Sequence, residues 1–197
     1  MMSYAAGLGT GLSLIVAIGA QNAFVLKQGL IRHHIFWVCL FCALSDAALI
    51  LLGVNGIARI GSVAPGLLVG LKWAGAAFLV WYGARSFRAA WQGGGAVRPE
   101  GGAASLPRTL ALIAALTWFN PHVWLDTVVL VGAISAQWPR PGVFGMGAVT
   151  ASFLFFFALG YGARLLAPVF ARPRAWQVLE VAIGIVMWTI AAALIAE

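Results

Sequence analysis

Two stretches of the chain, Gln21-Asn22-Ala23-Phe24-Val25-Leu26 and Phe119-Asn120-Pro121-His122-Val123-Trp124-Leu125, are polar interruptions inside apolar segments and read as two copies of one element. With Asn22 placed on Asn120, Leu14 and Ile15 fall on Leu112 and Ile113, and Val25 falls on Val123. Unwound backbone at bilayer depth is tolerated only where protein covers it or where it lines a cavity. A polar break repeated in two membrane-length segments is therefore what a carrier built from internal repeats places at its substrate site. The pair sets the expectation of a small transporter whose first and fourth helices are broken or kinked at Asn22 and at Asn120-Pro121.

The composition sets the solvent. The chain has 197 residues, of which 62% are hydrophobic and 9% charged, with a mean hydropathy of +0.97, far from the range of water-soluble domains. A helix crosses the hydrocarbon with roughly 20 apolar residues. Six such segments are legible: Tyr4 to Leu26, Ile35 to Ala58, Leu67 to Trp91, Thr109 to Ser135, Val143 to Leu166 and Ala175 to Ala196. Strands of a membrane barrel would be about half as long and would alternate, whereas Phe153 to Ala158 is apolar on every face. The first segment lacks a preceding Lys or Arg and is too long for a secretory signal, so it is read as a mature helix.

Basic residues give the orientation. Lys27, Arg32, Arg85, Arg88, Arg98, Arg108, Arg164, Arg172 and Arg174 flank one side and only Arg59, Lys72 and Arg140 the other, nine against three. The positive-inside rule puts the richer side in the cytoplasm and both termini outside. The net charge of +7 is then an orientation signal spread over loops, which argues against nucleic-acid binding. Trp73 and Trp91, about 27 Å apart along one helix, read as interface anchors, and Trp37 and Trp176 as further ones. The stretch Gln92 to Pro107, with five Gly and two Pro, reads as a flexible cytoplasmic linker. It divides the chain into a first three-helix repeat (1–91), the linker (92–107) and a second three-helix repeat (108–197). Three is odd, so homologous halves must insert with opposite polarity, giving an all-α membrane protein of six helices in two inverted-topology repeats. Leu71-Lys72 and Ala74 extend the similarity onto Leu179-Glu180 and Ala182. Because Lys72 and Glu180 start helices on opposite sides, they are not expected to pair, and each is read as an interfacial residue that snorkels.

Few residues are left to carry chemistry. Asp46 falls at the middle of the second segment, where an ionised carboxylate costs at least ~2.5–3.5 kcal/mol. It reads either as a helix-packing acid, protonated or bonded to a hydroxyl, or as a counter-charge for a cationic substrate and a proton carrier. Cys39, Cys42, Asp46 and Gly53 share one helical stripe, so the two thiols have a packing explanation beside a redox one. Pro121 removes a backbone donor and frees carbonyls near Leu116 and Thr117. Broken helices offer positive N-terminal ends to a carboxylate and negative C-terminal ends to an ammonium group, and an amino acid has both. Asp126, one to two turns past the break, faces either the same cavity or the interface. His122 reads as structural or as a proton relay, and His33-His34 as loop. No metal-ligand cluster, phosphate-binding loop or zinc-protease motif is present in the sequence, so no metal, cofactor or enzymatic activity is expected.

The segments Ala17-Ile18-Gly19-Ala20-Gln21-Asn22-Ala23-Phe24-Val25-Leu26-Lys27-Gln28-Gly29, Ser45-Asp46 and Thr117-Trp118-Phe119-Asn120-Pro121-His122-Val123-Trp124-Leu125-Asp126-Thr127 resemble the lysine/arginine exporter family of bacterial inner membranes. The resemblance runs the length of the chain and is nearer the basic amino acid branch than the homoserine/threonine branch. It implies proton-motive export of L-lysine, L-arginine or analogues, with Gln21, Asn22, Asp46, Asn120, Pro121 and Asp126 as the motif positions carried over. Gln21, Asn22, Asp46, Asn120 and Asp126 are the expected substrate contacts, Asp46 and Asp126 the expected proton carriers and Pro121 the helix break. Partners are then the amino acid, protons and lipid, with self-association left open. Moving a cation outward against an inside-negative potential costs ~2.3 kcal/mol per 100 mV, which a counter-moving proton cancels. The expected cycle has Asp46 hold either the substrate cation or a proton, Asn22 and Asn120 hold the α-amino and carboxylate groups, and one half rock against the other. The alternatives are an exporter of neutral amino acids such as homoserine or threonine, a thiol-redox carrier using Cys39 and Cys42, and a purely structural subunit.

Overall fold

The computed structural model describes residues 1–16, 19–55, 65–92, 105–166 and 168–196. The helices are α1 (Met2–Ile15), α2 (Ala20–Ile31), α3 (Ile35–Val54), α4 (Pro65–Trp91), α5 (Leu106–Trp118) and α6 (Pro121–Trp124). A π-helical stretch (Leu125–Leu130), α7 (Val131–Ser135), α8 (Pro141–Gly162) and α9 (Pro173–Ala196) follow. Short 3₁₀ turns, Ala163–Leu166 and Val169–Ala171, join α8 to α9. Among the described residues there is no strand. Three helices there are long and apolar enough to cross a membrane, Ile35–Val54, Pro141–Leu166 and Pro173–Ala193, or four spans if the bent pair α1–α2 counts as one. Most of the linker and Arg59 lie outside the described residues, as do the side chains of Lys72, Pro121 and His122.

Both interrupted segments are interrupted, though at different places relative to their asparagines. In the first, α1 stops at Ile15 and α2 starts at Ala20 with its axis turned by 82°, so the break precedes Asn22 instead of falling on it. The side chain explains the shift: Asn22 Nδ2 donates to the Ile15 carbonyl at 2.7 Å, capping the end of α1 from within the first turn of α2. In the fourth segment Phe119 and Asn120 are the non-helical residues and Pro121 opens α6, the first helical position at which a missing N–H costs nothing. The freed carbonyl at Trp118 accepts from Trp124 Nε1 at 3.0 Å.

Small residues let the helices approach closely. A Cβ at Gly7 would lie 1.9 Å from the Phe144 carbonyl oxygen, and one at Gly53 would lie 2.3 Å from that of Val128. Such seams are how helices gain contact in lipid, where apolar burial alone supplies no drive. The contacts also give directions. Gly7 meets Phe144 and Gly11 meets Ala148, so α1 runs parallel to α8. Val54 meets Gly145, Asp46 meets Ser152 and Cys39 meets Gly160, so α3 runs antiparallel to α8. Ser45 meets Trp118 and Gly53 meets Val128, so α3 runs parallel to the fourth segment. Finally α4 and α9 are antiparallel neighbours that share reciprocal contacts. Gly83 lies under Trp188, Gly184 lies under Phe87, and the two rings meet edge to face at 4.9 Å. This packing matches Gly83 with Gly184 and Phe87 with Trp188, a register different from the match of Lys72 with Glu180.

Two expectations are corrected. Glu180 does not snorkel: it is 4% exposed and forms an ion pair with Lys27, because the turned α2 brings its C-terminal half against the start of α9. Trp176 is not a lipid-facing anchor. It is 9% exposed, packs with Leu30 and Ala163, and donates to the Phe170 carbonyl at 2.8 Å. Trp37, Trp73 and Trp91 are exposed, as anchors require.

Candidate functional site

A cavity of about 270 Å³ lies where the two helix breaks meet α3. Its walls include Gln21, Asn22, Asp46, Asn120 and Asp126, so the five polar residues singled out from the sequence face one space. Cavities for drug-sized ligands span about 300–1,000 Å³. This one fits a single small molecule.

Each wall is built by local chemistry. The first turn of α2 contributes Gly19, Ala20, Gln21 and Asn22, and the N–H groups that open a helix have no intrahelical acceptor, so this end presents donors and partial positive charge. Gln21 is buried next to Asp46 and Cys42. On α3, Asp46 is 3% exposed. Ser152 Oγ of α8 donates to its Oδ2 at 3.1 Å, while Oδ1 is buried without a hydrogen-bond partner among the described residues. An unmet buried acceptor costs about 1–3 kcal/mol, more when charged, a cost that an arriving cation offsets. Opposite, Asn120 and Val123 come from the second break, and Asp126 and Thr127 from the π-helical stretch. Thr127 Oγ1 donates to the Val123 carbonyl, occupying an acceptor of the helical ladder. The Val131 N–H reaches back five residues to the Asp126 carbonyl, the widened turn of a π-helix. Leu14, Ile50, Phe156 and Ile190 complete the lining with apolar surface.

Some residues separate from the site. Thr117 is fully buried and donates to the Ile113 carbonyl at 2.8 Å, so its hydroxyl is spent within α5 and it does not line the cavity. Cys39 and Cys42 are free thiols buried in the helix packing; Cys39 Sγ donates to the Phe156 carbonyl at 3.1 Å. His33 and His34 occupy the turn between α2 and α3, with Arg32 and His34 in the left-handed region at φ 54° and 51°. Sequence reasoning missed Ser152 and Thr127. The spacing of Ser152 and Gly160 repeats that of Ser45 and Gly53 on α3, a signal that was available; the π-helical placement of Thr127 had none.

The match to the family model described as LysE type translocator covers residues 12–197. The chain belongs to that family. Among curated relatives, it is 40% identical to an "Arginine exporter protein ArgO" of Yersinia enterocolitica over 189 residues, 94% of this chain and 92% of that one. The Escherichia coli protein of the same name is 37% identical, with 95% of this chain and 90% of that one covered. A "Putative amino-acid transporter YggA" of Aeromonas salmonicida is 40% identical, with 92% and 89% covered. No solved structure matches. Membership makes the chain a multi-pass membrane translocator, and its apolar helices agree.

Proposed function

We propose that the protein exports L-arginine or L-lysine across the bacterial inner membrane in exchange for protons, with the cavity between the two helix breaks as the substrate site. The observation that carries this reading is the charge of the cavity. The whole chain has 12 Lys and Arg against 5 Asp and Glu, yet among the described residues the lining holds two carboxylates, Asp46 and Asp126, and no Lys or Arg. A dibasic amino acid has two cationic groups and one carboxylate. Asp46 and Asp126 suit the cations, the donor-rich start of α2 with Gln21 and Asn22 suits the carboxylate, and the apolar wall suits the aliphatic stem. The relatives named as arginine exporters agree with this choice. Asp46 then carries a proton on the return, since it cannot satisfy a proton and a guanidinium at once.

Six crossings as two inverted repeats are supported by the helix directions. If successive segments alternate, the first and fifth must be parallel, the second and fourth parallel, the second and fifth antiparallel and the third and sixth antiparallel, which are the four relations described above. Exchanging the halves also maps each packing onto a counterpart: α2 on α8 becomes the π-helical stretch on α3, and α4 on α9 maps onto itself. A helix that packs against its own counterpart forms part of the contact between the two halves. The motion consistent with this packing sets the α4–α9 pair against the remaining helices, which build most of the cavity wall, with Ile190 of α9 completing it.

The test is counterflow in proteoliposomes with labelled arginine and lysine and a varied pH gradient. Exchange of arginine or lysine, accelerated by a gradient of the correct sign and not competed by leucine or threonine, is the expected result. Equal competition by threonine would move the assignment to neutral amino acids, and absence of any exchange would refute it.

A further inference from the structure

The ion pair between Lys27 and Glu180 plays no part in the cavity, and neither residue lines it. Its position in the packing is nevertheless distinctive. Glu180 belongs to α9, which is packed principally on α4 through Gly83, Gly184, Phe87 and Trp188. Lys27 belongs to α2, which is packed principally on α8, where a Cβ at Gly29 would lie 2.2 Å from the Gly160 carbonyl oxygen. The pair is thus a charged tie across the seam between the two packing units. It is largely withdrawn from solvent, with side chains 27% and 5% exposed, and Glu180 Oε2 is buried with no hydrogen-bond partner among the described residues. An ion pair in such surroundings is a weak source of stability, because desolvation offsets the attraction, but it strongly opposes separation of its partners one at a time.

The same short helix carries the substrate-facing groups. Gln21 and Asn22 sit in the first turn of α2, and Lys27 lies six residues after Gln21, about 9 Å along the axis. Upstream, α2 is joined to α1 through a break with an 82° change of direction. A helix with a bend at one end and a charged tie at the other is a lever: displacing Lys27 moves Gln21 and Asn22.

We propose that Lys27 and Glu180 form a latch that holds α2 against α9 in one state of the transport cycle and must part for the cavity to open toward the basic end of the molecule, where Arg32 and Arg164 lie. They are positioning residues, acting on substrate access through α2. This inference rests on the transport reading given above, and the following test separates the two. In a C39S/C42S background, K27C/E180C is treated with a short bis-methanethiosulfonate linker, its formation followed by mass spectrometry, and arginine counterflow is measured before treatment, after it and after reduction. The expected result is a drop of at least tenfold on linking, full recovery on reduction, and unchanged equilibrium binding of arginine by the linked protein. Full counterflow by the linked protein would overturn the latch while leaving the transport reading intact. No arginine counterflow by the untreated wild type would instead sink the transport reading. A second measurement does not depend on linking. K27E should lower counterflow at least tenfold and K27E/E180K should recover at least half of it; normal counterflow by K27E would overturn the latch.

Discussion

Replacing Asp46 by Asn removes one unit of charge from the cavity and changes almost nothing else. The side chain is 3% exposed, and Asn retains an oxygen able to accept the 3.1 Å bond from Ser152, so the packing of α3 on α8 is preserved. Insertion should improve, since the carboxylate costs at least ~2.5–3.5 kcal/mol at the bilayer centre and Asn costs less. The effect on a cationic substrate works in the opposite direction. A unit charge about 4 Å from the carboxylate gains about 4 kcal/mol at an effective dielectric constant of about 20. Asp126, on the facing wall, holds part of that attraction, and desolvation of the carboxylate offsets more. A net loss near 2.7 kcal/mol corresponds to roughly 100-fold weaker arginine binding, at 1.36 kcal/mol per factor of ten. Equilibrium binding of labelled arginine to purified protein, with thermal unfolding measured beside it, reads this directly. The variant should unfold no earlier than wild type and bind about 100-fold more weakly. Arginine affinity within twofold of wild type would refute the assignment of Asp46 as the counter-charge.

Two further outcomes follow from the geometry. Ser152→Ala leaves Asp46 Oδ2 without its donor, and a hydrogen bond to a charged group is worth about 1.5–3 kcal/mol, so the protein should be destabilised by about that amount; an unchanged thermal midpoint would mean that this bond does not hold the carboxylate. Gly7→Ala puts a Cβ 1.9 Å from the Phe144 carbonyl oxygen and should destabilise the protein by about 3 kcal/mol, whereas Gly9→Ala, with open space around it, should be neutral within about 0.5 kcal/mol. Thermal unfolding of the two in detergent makes the comparison, and equal midpoints would contradict the close approach of α1 and α8.

Much of the candidate site is legible in the sequence because the bilayer punishes polarity. Asp46, Asn22, Gln21, Asn120 and Asp126 stood out as polar groups in apolar segments, each needing a shared partner or a shared space, and the structure gives them one cavity. The same logic failed where a charge had a hidden partner. Glu180, near a helix start, reads as interfacial, yet it pairs with Lys27 across the fold. Trp176 failed for the same reason: an aromatic near a helix start marks a membrane interface only if nothing packs over it, and Leu30 and Ala163 do. Thr117 lies one turn before the second break, but its hydroxyl is satisfied four residues back along its own helix.

Composition and pattern by themselves determined the solvent, the helical class, the two interrupted segments and the residues that lipid would not tolerate unpaired, because these are local consequences of hydropathy and of proline and asparagine chemistry. Only the tertiary structure decided which helices are neighbours, that α4 pairs with α9, that the break of the first segment precedes Asn22, and that Lys27 meets Glu180. Those depend on close approach at glycines such as Gly7 and Gly53, where contact is set by the shape of a distant partner helix and leaves no periodic trace in the chain.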